Sequence, residues 1–284
     1  MYATKVAALS SLVILLLPAS LSALEYELSL GAHDLVVQNI VNDIAADGIE
    51  AGTSHTLGVN SALYVKHTTA NNIKILAKAE VFLDYDRDHL DPDHIPVWFD
   101  FLIDVHGPLY TINESNLLQW YIVMDNRQNT VSCIEREVRQ HIGLGYQSTL
   151  SKLVVGTNLY TGFYYIEMDD DTPVARGYTR QNTDDGEASL VLELSAQYDF
   201  TKDLSLSLNA KKYVATGGFE TLEDNLEALV TYKNISMFGD ATALHFKAKY
   251  IKYDLERFYL PSVGVPILPF DNDMLIQTYM TFPF

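Results

Sequence analysis

The sequence predicts an all-β protein, a transmembrane antiparallel up-and-down β-barrel of about twelve strands. Three observations predict this class. The chain begins with a segment typical of an export signal, and the remainder alternates between apolar and polar residues at a period of two. Along the chain, the connections between these segments are mostly short and long alternately. Together these observations indicate an exported chain whose strands close on one another within a membrane.

The composition excludes several other classes of protein. Hydrophobic residues make up 48% of the 284 residues, which is too many for an intrinsically disordered chain. A formal net charge of −18 argues against a nucleic-acid partner, because phosphates require a basic surface. The single cysteine cannot form an internal disulfide or a cysteine-based zinc site. We therefore expect no nucleic-acid partner and no cofactor.

Residues 1–23 have the order of a secretory signal peptide. Lys5 provides a positive start, Val6–Leu17 is almost wholly apolar, and Pro18 and small residues follow up to Ala23. The alternative is a membrane anchor, but the apolar run is well short of the roughly 20 residues that a spanning helix needs. We expect cleavage after Ser22 or Ala23, which leaves residues 24–284 as the barrel domain.

Period-two alternation predicts the strands. Between Ser189 and Phe200, leucines and aromatic residues alternate with polar ones, and the pattern resumes at Leu204 after a turn at Thr201–Asp203. The twelve predicted segments are Leu24–Ala32, Thr53–His67, Asn72–Leu83, Pro96–His106, Leu117–Met124, Val131–Gln147, Lys152–Ile166, Ser189–Phe200, Leu204–Tyr213, Asn225–Lys233, Ala241–Tyr253 and Met274–Phe284. An alternative for Val36–Ala46 is a short helix in the first loop.

The connection lengths predict the orientation. Connections after even-numbered segments are mostly short, whereas Asp84–Ile95, Glu167–Ala188 and Leu255–Asp273 are long and acidic. This predicts short periplasmic turns and long outer loops. Gly107–Asn116 is long for a turn and Asp125–Thr130 is short for an outer loop, so either that hairpin is short or the strand count is wrong by a pair.

The end of the chain carries a resemblance to a known class. Met274, Ile276, Met280, Phe282 and Phe284 fall on one face, and the last residue is aromatic. Residues 274–284 resemble the carboxy-terminal strand of Gram-negative outer-membrane β-barrels, although Pro283 departs from the usual pattern. The resemblance implies a cell outer-membrane location among lipid and lipopolysaccharide, and recognition of Tyr279, Phe282 and Phe284 by the barrel-assembly machinery. The alternative is a periplasmic lipocalin-like or sandwich protein, which should not expose apolar faces on nearly every strand.

When the apolar face of each strand is toward lipid, the charged side chains of the polar face point into the barrel. The predicted interior charges are Lys78, Glu80, Asp100, Asp104, Glu135, Glu137, Arg139, His141, Glu193, Lys211, Glu227, Lys233, Lys247 and Lys249. The candidates for solute selectivity are Asp100, Asp104, Glu135, Glu137, Arg139, His141, Glu193, Lys211, Lys247 and Lys249. Both signs occur, so we expect pairing across the interior. Arg136 faces the other way and must lie near a rim, or its strand must project above the bilayer.

Known catalytic and metal motifs do not occur in the sequence. The loop Asp84–Ile95 is rich in Asp and His but lacks the spacing of an EF-hand, so we interpret it as a solvated acidic loop and predict no metal site. There is no G-x-S-x-G, no H-E-x-x-H and no His-x-Ser-Asn-Gly of outer-membrane phospholipase A. The run Trp98–Phe101 looks like a stretch of the nucleoside-specific channels, but it is too short to indicate a substrate.

The sequence therefore favours a porin-like channel, not an enzyme, in which small solutes diffuse passively through a narrow charged lumen. Two alternatives stay open. One is a barrel enzyme acting on lipid or lipopolysaccharide, and the other is a structural or adhesive barrel with a blocked lumen.

Overall fold

The computed structural model describes residues 24–40, 52–85, 96–130, 134–168, 174, 176–182, 184–235, 242–255 and 258–284. The predicted signal peptide at residues 1–23 lies outside these ranges. So do the second half of the alternative helix, most of the acidic loop at 86–95, and Cys133.

Twelve β-strands form the fold. They are β1 Glu25–Ile40, β2 Gly52–Thr68, β3 Lys74–Asp84, β4 Val97–Asn113, β5 Asn116–Thr130, β6 Ile134–Leu150, β7 Leu153–Met168, β8 Asp184–Asp199, β9 Leu204–Ala215, β10 Thr221–Lys233, β11 Ala243–Tyr253 and β12 Asn272–Pro283. Each overlaps one predicted segment, with bounds that differ by up to eight residues in β1, and the predicted count of twelve is confirmed. Val36–Ile40 continues β1 and is not helical.

The sheet closes into a barrel. Every strand pairs antiparallel with its neighbours in sequence, and β1 pairs with β12 from Glu27↔Pro283 to Gln38↔Asn272. The strands are staggered around the ring. One row of paired residues begins at Lys74, the first residue of β3. It passes through His106, Tyr121 and Gly143 and ends at Tyr253, the last residue of β11. Such a stagger is the tilt that barrel closure requires.

The connections divide the barrel into two ends. We call the end with the chain termini the terminal end, where the connections are 69–73, 114–115, 151–152, 200–203 and 234–242. We call the opposite end the outer end, where they are 41–51, 85–96, 131–133, 169–183, 216–220 and 254–271. The two irregular connections are explained by strand length. Strand β4 continues to Asn113, and strand β5 continues to Thr130, so both of those hairpins are tight.

The two faces of the sheet differ in character. Leucines, isoleucines and aromatic residues such as Leu30, Leu159, Leu194 and Phe246 are exposed on the outer surface, at 50–61% of their area. Charged and amide side chains face the enclosed interior, where most are buried. An apolar exterior on a sheet with no free edge is the arrangement that a membrane-spanning barrel needs. No helix long and apolar enough to cross a bilayer occurs among the described residues.

Candidate functional site: the barrel interior

A belt of lysine–carboxylate pairs lines the middle of the interior. We define this lysine belt as Lys78, Asp100, Asp125, Glu193, Lys211, Glu227, Lys247 and Lys249. The ammonium of Lys78 lies 2.9 Å from Asp100, that of Lys211 3.5 Å from Glu193, and that of Lys247 3.4 Å from Glu227. The pairing of both signs agrees with the mixed charge of the sequence. No single-sign field results, because each lysine faces an acid.

Several members of the lysine belt remain open to solvent. The side chains of Lys211 and Glu227 keep 25% and 34% of their area exposed, and those of Lys247 and Lys249 keep 13% and 12%. Lys249 on β11 faces Asp125 on the opposite strand β5 at 3.9 Å, the longest of these contacts. Lys211 and Glu227 are therefore the most accessible charges of the lysine belt.

A second set of charges lies closer to the outer end. We define this outer network as Arg127, Glu137, Arg139, Glu223 and Asp273 together with the phenol of Tyr253. Arg139 donates to Glu137 at 2.9 Å and to Glu223 at 2.6 and 3.1 Å. Arg127 donates to Asp273 at 3.2 Å through both terminal nitrogens. The Tyr253 hydroxyl donates to Glu137 at 2.7 Å.

The outer network crosses the bore. Its contacts join β6 to β10, β5 to β12, and β11 to β6, and none of these strand pairs is adjacent in the ring. The charged side chains are 0–3% exposed. Charged groups persist at such depth only when they are paired and hydrogen-bonded on most sides. The network is therefore a cross-brace between non-adjacent walls of the barrel.

An apolar layer covers the outer network. Inward side chains of β1 and of β6–β11, among them Val37, Tyr164, Ile166 and Ile251, form one cluster with residues of the connection between β11 and β12. We define residues 258–270 of that connection as the outer lid. Its side chains Phe258, Ile267, Leu268 and Phe270 are 1–6% exposed. The cluster therefore packs side chains of opposite walls together with the outer lid.

An aromatic cluster stands beside the network on β1, β3 and β4. The rings of Phe82 and Trp98 are stacked with their centroids 3.5 Å apart, and His33 meets both rings edge-on. Asp84 accepts hydrogen bonds from the Trp98 indole at 3.2 Å and contacts the His33 ring at 2.8 Å. The guanidinium of Arg127 lies over the Trp98 ring at 5.7 Å. The cluster therefore supports the network from one wall.

Sequence reasoning missed a serine–histidine pair. His141 Nε2 lies 2.8 Å from the Ser189 hydroxyl, although 48 residues separate them. In the register, Gly162 on β7 pairs with both residues, so no side chain stands between them. Ser189 is 0% exposed, so a substrate has no access to its hydroxyl in this conformation.

Glu135 requires a correction. The sequence predicts that Glu135 shares the interior face with Glu137, but Glu135 is exposed and lies outside the outer network. A register shift in the pairing of β6 with β7 falls between Ile134 and Arg136. This irregularity breaks the alternation, and Ile134 takes the buried position instead, at 1% exposure.

The remaining predicted residues are placed as follows. Asp104 lies toward the terminal end and contacts His106 at 2.6 Å, with 28% of its side chain exposed. Arg136 is exposed near the outer end of β6 and pairs with Glu167 at 3.2 Å. Tyr279 points inward and stacks on His245, with ring centroids 4.7 Å apart. Phe284 stacks on Tyr26 at the terminal end, and Phe282 pairs in register with Leu28.

No group of three or more His, Cys, Asp or Glu side chains arranged to hold a metal ion occurs within the ranges that the structure describes.

Comparisons with known proteins support the fold. No family model matches the sequence, and no curated protein matches it. An outer membrane channel from Pseudomonas putida F1 is similar in structure with a TM-score of 0.50 and 10% identity, covering 95% of this chain and 100% of that one. The KdgM porin in complex with disordered oligogalacturonate has a TM-score of 0.45 and 9% identity, covering 90% and 99%. The chain thus has the fold of the outer-membrane β-barrels, a closed barrel of twelve antiparallel strands.

Proposed function

We propose that this protein is an outer-membrane channel through which small polar solutes diffuse passively. The observation that carries the proposal is the lysine belt, whose partly exposed charges line the inside of a twelve-stranded barrel. A ring of this size is wider than the eight-stranded barrels that side chains can fill. Its lining of paired charges favours hydrated, polar solutes over apolar ones.

The structural likeness to known channels agrees with this proposal and does not identify the solute. The outer membrane channel from Pseudomonas putida F1 shares the barrel, and an identity of 10% carries no information on the residues that line the interior. Lysine and carboxylate groups alternate along the belt, so we expect weak selectivity between anions and cations. The same proposal includes export through a cleaved signal peptide at residues 1–23. It also includes recognition of Tyr279, Phe282 and Phe284 by the barrel-assembly machinery.

A second candidate, a structural barrel with a blocked lumen, is favoured by the outer network. Its side chains cross the bore and exclude solvent in this conformation. The two candidate functions differ in whether the outer network and the apolar layer that covers it can move apart. An enzyme is supported less, because Ser189 is 0% exposed and a substrate has no access to its hydroxyl in this conformation.

Single-channel recording in a planar bilayer tests the proposal. The purified barrel, shown to be folded by its altered gel mobility before boiling, is added at moderate salt. A channel gives discrete current steps, and polar solutes on one side reduce the current when they enter the bore. A folded barrel that stays silent, both as wild type and in the opened variants described below, would establish the blocked-lumen alternative.

A further inference from the structure

The outer lid is attached to the barrel in an unusual way. Its backbone is outside the ladder of the sheet, and its own hydrogen bonds are local turns such as Phe258 N–H to Leu255 and Val263 N–H to Leu260. Pro261, Pro266 and Pro269 have no N–H to donate. The lid therefore depends on side chains from elsewhere for its position.

Two side chains from the connection between β7 and β8 hold the lid. The Tyr178 hydroxyl donates to the carbonyl of Val265 at 2.7 Å and accepts from the Leu260 N–H at 3.4 Å. The Nε of Arg176 donates to the carbonyl of Pro266 at 2.8 Å. Burial raises the pKa of Tyr178 above its ordinary value, so its hydroxyl keeps the proton that it donates.

The lid is amphipathic. Tyr259 and Pro266 are exposed on its upper side, whereas Ile267, Leu268 and Phe270 are buried against the apolar cluster at the mouth. Tyr253 meets Phe270 edge-on with ring centroids 5.9 Å apart, and the same tyrosine bonds Glu137 below. The position of the lid is thus coupled through Tyr253 to the network that crosses the bore.

We propose that the outer lid is a gate, closed in this structure, and that Arg176 and Tyr178 are its latch. This inference rests on the proposed function, because a gate has meaning only in a channel. Breaking the latch frees the lid backbone, withdraws Phe270 from Tyr253 and leaves the outer network open to water. A network that water enters loses much of the strength of its ion pairs, so the bore widens at that level.

The test compares two lid variants with a matched control. In the first variant, a short Gly-Ser linker replaces residues 258–270. The linker can close the hairpin, because the Tyr253 N–H already bonds the Asp271 carbonyl at 3.0 Å. The second variant is Tyr178→Phe, which removes the hydroxyl of the latch. The control is Tyr259→Phe, which removes a hydroxyl from the exposed side of the same lid.

The expected order of open probability is shortened lid, then Tyr178→Phe, then wild type and Tyr259→Phe together. Tyr178→Phe removes the hydrogen bond to Val265 and the longer one from Leu260. Loss of the first alone, at ordinary strength, shifts the ratio of open to closed channels about fivefold. Equal currents from all four proteins would overturn the gate while leaving the channel intact. Silence from the shortened lid, and also from the shortened lid combined with Glu137→Gln, Arg139→Gln and Glu223→Gln, in barrels shown to be folded, would instead overturn the proposed channel.

Discussion

The outer network and the lysine belt use the same chemistry in opposite ways. Both consist of basic side chains paired with carboxylates inside one barrel. The network has arginines, contacts that cross between non-adjacent strands, and side-chain exposures of 0–3%. The belt has lysines whose contacts lie between adjacent strands, except for the 3.9 Å contact of Lys249 with Asp125 across the bore, and its side-chain exposures range from 7% to 34%.

The difference follows from geometry and solvation. A guanidinium presents several donors in a fixed plane, so Arg139 can serve Glu137 and Glu223 at once and hold two strands together. An ammonium is a compact, strongly hydrated charge that tolerates a loose partner. We infer that the outer half of the interior is a rigid brace and that the inner half is the part that meets solutes.

The largest effect is expected for Arg139→Met. This change leaves Glu223 buried without a cation and leaves Glu137 with Arg127 alone, at 3.2 Å. Breaking a buried pair in this way costs about 3–5 kcal/mol of unfolding free energy. Adding Glu137→Gln and Glu223→Gln to the same variant removes the uncompensated charges and should restore most of the loss. Urea unfolding of the refolded barrel in detergent measures both, with the fluorescence of the buried Trp98 as the probe.

Lys247→Met in the lysine belt is the matched control. Its partner Glu227 is 34% exposed and can be hydrated by itself, so we expect a cost of less than about 1 kcal/mol. Equal losses at Arg139 and Lys247 would show that the two regions do not differ as brace and lining.

Two inward glycines of β7 sharpen the comparison at the level of the backbone. A Cβ on Gly162, close to the network, would lie 1.9 Å from the carbonyl oxygen of Gln140, which cannot move without shifting β6. A Cβ on Gly156, nearer the terminal end, would meet the Ser195 hydroxyl at 2.6 Å, and that side chain can rotate away. We expect Gly162→Ala to lower the yield of folded barrel several-fold and Gly156→Ala to have little effect.

The fraction of protein with altered gel mobility before boiling measures that yield for the two glycine variants. A similar yield from both would contradict the idea that the outer half is packed more tightly than the terminal half.

The barrel itself could be predicted from the sequence, because alternation is a local property. Each of the twelve segments shows its two faces without knowledge of its neighbours, and the connection lengths order the ends. Alternation fails where the register shifts. Alternation places Glu135 on the same face as Glu137, because nothing in its neighbourhood marks the irregularity between Ile134 and Arg136.

The outer network and the lid could not be predicted in the same way. Arg139 and Glu223 are 84 residues apart, and their contact depends on which strands face each other across the closed ring. The outer lid does have a local signal in the sequence. Ile267, Leu268 and Phe270 are apolar residues within an outer connection, where a solvated loop would be polar. Such residues indicate that a loop folds back onto the protein.

Single substitutions of a charged side chain by its amide in the lysine belt change the structure least, and we expect them to change the ion selectivity of the channel. Lys247→Gln removes a positive charge from the partly exposed lysine belt and should shift the reversal potential in a salt gradient toward cation selectivity. Glu227→Gln removes its partner and should shift the potential toward anion selectivity. The double variant keeps the net charge of the pair and should return close to the wild-type value. These recordings are made in the shortened-lid background, so that the state of the gate does not change between variants. If both single variants leave the reversal potential unchanged while current flows, then ions do not pass this pair, and the conducting path lies elsewhere in the barrel.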